Sequence, residues 1–148
     1  MNEPNVTVQN NAVARIPLLA AVVAIVGLFD SIYLTIHHIN GVQVPCGVTG
    51  GCETVLTSQY AEIFGVPLAA FGIAAYFIAF CLAILTAFGY RSLWFFFGFQ
   101  VVLMALASSY FVYLQIFVLK SFCQYCMVSA AVCFTLCTLA LITKFWKR

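Results

Sequence analysis

Four long apolar stretches dominate the chain, and its polar positions fall mostly between them. The first runs from about Ile16 to Ile36, the second from about Pro67 to Phe88, the third from about Leu93 to Leu119 and the fourth from about Cys123 to Thr143. None alternates polar and apolar residues as a half-buried strand would, so each reads as a helix. At about 1.5 Å of rise per residue each covers about 30 Å, enough to cross the hydrocarbon core of a bilayer. Arg15 ahead of the first stretch gives it the outline of a secretory signal. Its length of about 21 residues and the lack of a small-x-small cleavage pattern before the loop mark it instead as a retained span. The pattern therefore predicts an all-α integral membrane protein. A bundle of four transmembrane helices occupies 16–143, with tails at 1–15 and 144–148 and a long loop over 37–66. Within that loop Val55, Leu56, Tyr60, Ile63 and Phe64 recur at roughly helical spacing. They predict a short amphipathic helix from Glu53 to Phe64 that lies in the interface and caps the bundle. Gly65-Val66-Pro67 ends it, with Pro67 suited to the first turn of the second span.

Composition agrees. The 148 residues are 65% hydrophobic and 7% charged, with a mean hydropathy of +1.10. A soluble domain carries about 25% charged residues, so this chain has too few to cover a water-facing surface. A net charge of +2 gives no reason to expect a nucleic-acid partner. The placement of the charges says more than their sum. Arg15, Arg91, Lys144, Lys147 and Arg148 fall on one side of a four-span topology and Lys120 alone on the other. The positive-inside rule then puts both termini in the cytoplasm of a multi-pass protein of the inner or plasma membrane. The loop over 37–66 and the turn before Cys123 face outward, where disulfides persist.

That orientation divides the cysteines. Cys46, Cys52, Cys123 and Cys126 gather at the outer surface, whereas Cys81, Cys133 and Cys137 lie inside spans and are expected to pack as small hydrophobes. Four outer cysteines allow three pairings. Cys46–Cys52 with Cys123–Cys126 is one resting arrangement, and a Cys52–Cys123 link is an intermediate of the kind thiol–disulfide exchange produces. Cys123-Gln124-Tyr125-Cys126 opens a helix, which sets Cys123 near the N-cap, where free N–H groups favour a thiolate. Cys126 lies about 4.5 Å deeper on nearly the same face. One sulfur can face the loop and the other the bundle interior, a graded depth that a simple staple does not need. Pro45-Cys46-Gly47-Val48-Thr49-Gly50-Gly51-Cys52 is glycine-rich and able to present Cys46 outward.

Other polar residues cluster near the same mouth. Ser58 sits where its hydroxyl can turn into a pocket under the cap. Asp30, Tyr33 and His37 share one face of the first span, and an ionisable residue at the depth of Asp30 is a functional candidate. Gln115, Tyr110 and Tyr113 occupy the outer half of the third span, lining a pocket or forming an interfacial aromatic belt. His37 and His38 are adjacent at a helix end and no tetrahedral spacing accompanies them, so no metal site is expected.

These residues together resemble the vitamin K epoxide reductase family, and its microbial branch most closely. The resemblance rests on Gly27-Leu28-Phe29-Asp30-Ser31-Ile32-Tyr33-Leu34, on Cys46 and Cys52, on Cys52-Glu53-Thr54-Val55-Leu56-Thr57-Ser58 running on to Phe64-Gly65-Val66-Pro67, and on Cys123-Gln124-Tyr125-Cys126. It covers about 16–143. It implies a four-helix bundle around a quinone of the ubiquinone or menaquinone type, drawn from the membrane pool. By the same resemblance Cys126 contacts the quinone, Cys123 completes the active pair, Cys52 exchanges with Cys123, and Cys46 meets an external thiol protein. Ser58 matches the family's cap-helix serine and, with Cys126, is assigned to the cofactor. Some microbial members carry a fused thioredoxin-like domain. Here the chain stops at Arg148, so the expected partner is a separate thioredoxin-fold (DsbA-like) protein. Animal members that reduce the epoxide have a tyrosine four residues after the second cysteine of the late pair. That position is Ala130 here, which makes ordinary quinone reduction the expected activity.

The expected sequence of events runs from outside inward. The partner attacks Cys46, freed Cys52 attacks Cys123, and Cys126 passes two electrons to the quinone, with Ser58 or a water as the source of protons. Two alternatives keep the same chain. One is a quinone or vitamin K reductase acting mainly for the quinone; the other is a non-enzymatic membrane subunit with a disulfide-stapled loop.

Overall fold

A computed structural model describes the backbone of residues 4–47 and 50–146, with side chains over 15–47 and 50–144. Its elements are α1 (Pro4–Asn40), α2 (Cys52–Leu56), a hairpin of β1 (Glu62–Ile63) and β2 (Val66–Pro67), α3 (Leu68–Ala87), α4 (Leu93–Tyr113) and α5 (Gln124–Trp146). A π-helical turn, Leu114–Val118, continues α4. Four segments are long and apolar enough to cross a membrane: Arg15–Asn40, Leu68–Ala87, Leu93–Val118 and Gln124–Lys144. The fold is the expected four-span all-α bundle. The expected tails are partly helical, since α1 begins at Pro4 and α5 continues to Trp146. Lys147 and Arg148, two of the basic residues behind the orientation, lie outside the described residues.

Lipid offers helices no hydrophobic reason to associate, so they are held by close approach of small residues and by hydrogen bonds. Ala20, Ala21 and Ala24 of α1 and Ala79 and Ala83 of α3 are fully buried, and Phe97, Val101 and Leu136 fill the space beside them. Trp94 at the start of α4 donates from Nε1 to Thr143 Oγ1 of α5 at 2.6 Å. Large apolar side chains such as Phe29, Phe95 and Phe99 point outward, the distribution suited to a lipid surround. Tyr110 and Tyr113 belong to that exposed surface and do not line the interior.

The cap differs from the expectation. Its helix spans only Cys52–Leu56 and not 53–64. Thr57 Oγ1 and Ser58 Oγ each donate back to helix carbonyls, of Glu53 and Val55, at 2.7 Å. Such local bonds compete with helix continuation. The chain then turns and enters the hairpin, where Phe64 (φ 53°) and Gly65 (φ 77°) form the two-residue turn between paired Ile63 and Val66. Phe64 therefore stands fully exposed at the tip instead of packing down. His38 Nε2 and Glu62 Oε1, 2.8 Å apart, tie the hairpin to the end of α1.

Candidate functional site

The site is built on the way α4 stops. In the π-turn the Leu119 N–H reaches back to the Leu114 carbonyl at 2.8 Å. Lys120 takes a left-handed φ of 50°, and the Ser121 N–H closes on the Gln115 carbonyl at 3.1 Å. Wide turns of this kind are frequent at functional positions. Here the turn aims the Gln115 side chain, 2% exposed, at the start of α5, where its Oε1 accepts the Cys123 N–H at 3.0 Å. Cys123 precedes the first residue of α5, and its carbonyl accepts the Met127 N–H at 3.0 Å. The expected N-cap position is thus the observed one.

The two cysteine pairs meet at this end of the bundle. Cys46 and Cys52 are joined in a disulfide, while Cys123 and Cys126 are thiols. Cys52 and Cys123 have no exposed surface and form a buried cluster with Val55, against which Cys46, Leu56, Leu119, Tyr125 and Cys126 pack. Two contacts hold the loop there. Tyr125 Oη donates to the Pro45 carbonyl at 3.2 Å, beside Cys46. Gly51, beside Cys52, lies so close to Phe122 that a Cβ on it would sit 2.8 Å from the Phe122 carbonyl oxygen and 2.9 Å from its nitrogen. The Cys123 thiol is pushed down to about 7, first by the hydrogen bond from Cys126 and further by the backbone N–H groups of Cys126 and Tyr125, against the opposing effect of burial.

Beneath the cysteines a cavity of about 260 Å³ opens among the helices. Cys126 lines it and Cys123 does not. Its walls are mainly apolar, with Asp30, Ser58, Gln115 and Ser129 among the polar groups. Ser58 reaches the cavity from the turn after α2, although its hydroxyl proton is engaged by the Val55 carbonyl. Tyr33 packs against His37 on its own helix (ring centroids 4.3 Å apart) and against Tyr125 (5.4 Å), above the cavity and not in its wall.

Sequence reasoning missed a second polar cluster. Tyr76, only 2% exposed, places its Oη 2.7 Å from Ser129 Oγ and 3.1 Å from Cys133 Sγ on the cavity wall. Cys133, read as a packing residue, is therefore also a polar partner there. Cys137 packs on the core as expected. The available signal was a tyrosine in mid-span, since a buried phenol needs a partner. Gly27 makes the cluster possible, because a Cβ there would lie 2.6 Å from Tyr76 Cζ and 2.7 Å from its Cδ1.

A four-span helical bundle that gathers two cysteine pairs over an interior cavity defines a polytopic membrane protein with a dithiol site. Residues 18–141 match the vitamin K epoxide reductase family, and the chain belongs to that family. It is 36% identical over 121 residues, 74% of its length, to the thiol-disulfide oxidoreductase LTO1 of Arabidopsis thaliana. The chain spans 31% of the length of that relative.

Proposed function

We propose that the protein is a membrane thiol:quinone oxidoreductase that draws electrons from a thioredoxin-fold thiol protein and so supports disulfide formation in that partner's substrates. One observation carries the reading: the four sulfurs are graded in access. Cys46 is part-exposed, Cys52 and Cys123 are sealed together, and Cys126 faces the cavity. A static staple requires no such order. Family membership and the likeness to a relative named as a thiol-disulfide oxidoreductase support it.

The chemistry follows from access. A partner thiolate attacks Cys46, breaking the Cys46–Cys52 bond and releasing Cys52. Cys52 is already against Cys123 and attacks it when the inner pair is oxidised, and Cys126 leaves as the thiol or thiolate. The partner's second thiol then displaces Cys46 and leaves as the oxidised partner, and the freed Cys46 attacks Cys52 and releases Cys123. This returns an oxidised outer pair and a reduced inner pair, the combination described above. A Cys123 thiol held near 7 is about half thiolate at neutral pH and closes the ring back onto Cys126 once the electrons depart. The cavity suits a quinone: its walls are largely apolar, it has room for one ring system, and its few polar groups include a carboxyl and the Gln115 amide. Cys126 would contact the ring, while Ser58 and Gln115 bound the cavity at its cysteine end. A bound quinone supplies the two-electron acceptor. On the positive-inside reading the cysteine end faces outward and both termini the cytoplasm.

The test is Cys123→Ala in membranes supplied with a ubiquinone- or menaquinone-type quinone. The Cys126 thiolate left facing the cavity should give a visible charge-transfer band. No band, together with full function in Cys126→Ser, would return the protein to the stapled-subunit reading.

A further inference from the structure

Asp30 is the one carboxyl that lines the cavity, and its Oδ2 is buried with no hydrogen-bond partner among the described residues. A buried carboxyl oxygen without a partner is costly in an apolar setting, and proteins seldom keep one without use. An intramembrane carboxylate facing a cavity is a typical proton-handling group. The alternative candidate, Ser58, already spends its proton on the Val55 carbonyl. Resting on the quinone reading above, we infer that Asp30 exchanges a proton with the quinone oxygen and with the Cys126 thiol across the cavity.

The balance is simple. Oxidation of the inner dithiol breaks the S–H bonds of Cys123 and Cys126, forms one S–S bond and releases two electrons and two protons. Both electrons pass to the quinone, which becomes the quinol. Asp30 takes the Cys126 proton and hands it to a quinone oxygen, ending in the state in which it began; the second proton comes from the Cys123 side through water. The titratable groups that line the cavity with Asp30 are His38, Tyr60, Tyr76, Cys126 and Cys133, and Cys123 lies outside its wall. Gln115, the polar side chain from the end of α4, is neutral. Tyr76 is engaged by Ser129 and Cys133 and is poorly placed to act as the carrier.

The experiment uses the full chain in nanodiscs and a ubiquinone with a short tail. In Cys126→Ser protein, which binds without transferring electrons, the infrared carboxyl band of Asp30, identified by its loss in Asp30→Asn, should shift when the quinone is added. In protein with all four cysteines, Asp30→Asn should slow single-turnover oxidation of the dithiol at least 10-fold and flatten its pH profile, in line with the 10²–10⁴ range for general acid–base groups. Asp30→Glu should restore part of the rate. Asparagine is nearly isosteric and uncharged, so folding is retained. A carboxyl band that ignores the quinone, or Asp30→Asn with the native rate and pH profile, overturns the inference alone. A native dithiol that stays reduced with excess quinone overturns the quinone reading and this inference with it.

Discussion

Gly51→Ala is the sharpest test of how the two cysteine pairs are brought together. The added Cβ would lie 2.8 Å from the Phe122 carbonyl oxygen and 2.9 Å from the Phe122 nitrogen, whereas ordinary contact begins near 3.4 Å. Both obstacles are backbone, so no rotamer relieves them. The loop must retreat by about 0.6 Å, and Cys52 retreats with Gly51, while Phe122 is the residue before Cys123. A misplacement of about 1 Å costs about 10²-fold in a reaction that depends on proximity, so roughly 10-fold is expected here. The background Cys46→Ser with Cys126→Ser leaves Cys52 and Cys123 to react with each other. Closure of their disulfide after a pulse of oxidant can be followed by gel shift with a maleimide. Gly47→Ala is the control, because a Cβ there meets nothing within 4 Å. Equal rates for Gly51→Ala and the parent, or equal slowing by Gly47→Ala, would refute the packing argument.

Two further outcomes follow from the same site. The Cys123 thiol sits near 7 chiefly because Cys126 donates to it, so Cys126→Ala should move its thiolate absorbance midpoint up toward the ordinary value of about 8.5, while Cys126→Ser keeps a donor and most of the shift. The sign is fixed: the thiolate persists above the midpoint and is lost as pH falls through it, so Cys126→Ala weakens Cys123 reactivity most between pH 7 and 8.5. Gln115→Leu strands the buried Cys123 N–H and should cost about 1–3 kcal/mol in thermal or denaturant unfolding, with Gln115→Glu recovering most of it by restoring the acceptor.

The four spans were legible because each is a long apolar run whose length matches a bilayer, and the cysteine grouping was legible because four spans by themselves fix which loops share an end. The N-cap position of Cys123 could be read from the step between polar turn and apolar run. The cap could not. Val55, Leu56, Tyr60, Ile63 and Phe64 keep helical spacing, yet the backward hydrogen bonds of Thr57 and Ser58 and the left-handed Phe64-Gly65 pair stop the helix at Leu56. Local polar competition outweighed periodicity. The Tyr76–Ser129–Cys133 cluster lay out of reach for another reason. It joins residues 53 and 57 positions apart, and nothing in either span names the other. Gln115 could be read as a pocket-lining residue, but its bond to the Cys123 N–H could not, since that depends on a π-turn that no spacing rule reveals.

The complete burial of Cys52 and Cys123 has a consequence for the surroundings of the protein. In the relay proposed above, a small free thiol drifting past the membrane would not touch either sulfur and so would not short-circuit the step between the pairs. Among the four sulfurs of the two pairs, the part-exposed Cys46 would be the one that carries ambient redox poise inward from the loop side. Choice of partner would thereby be concentrated at one sulfur and the shape around it, and the inner exchange would be indifferent to who delivered the electrons.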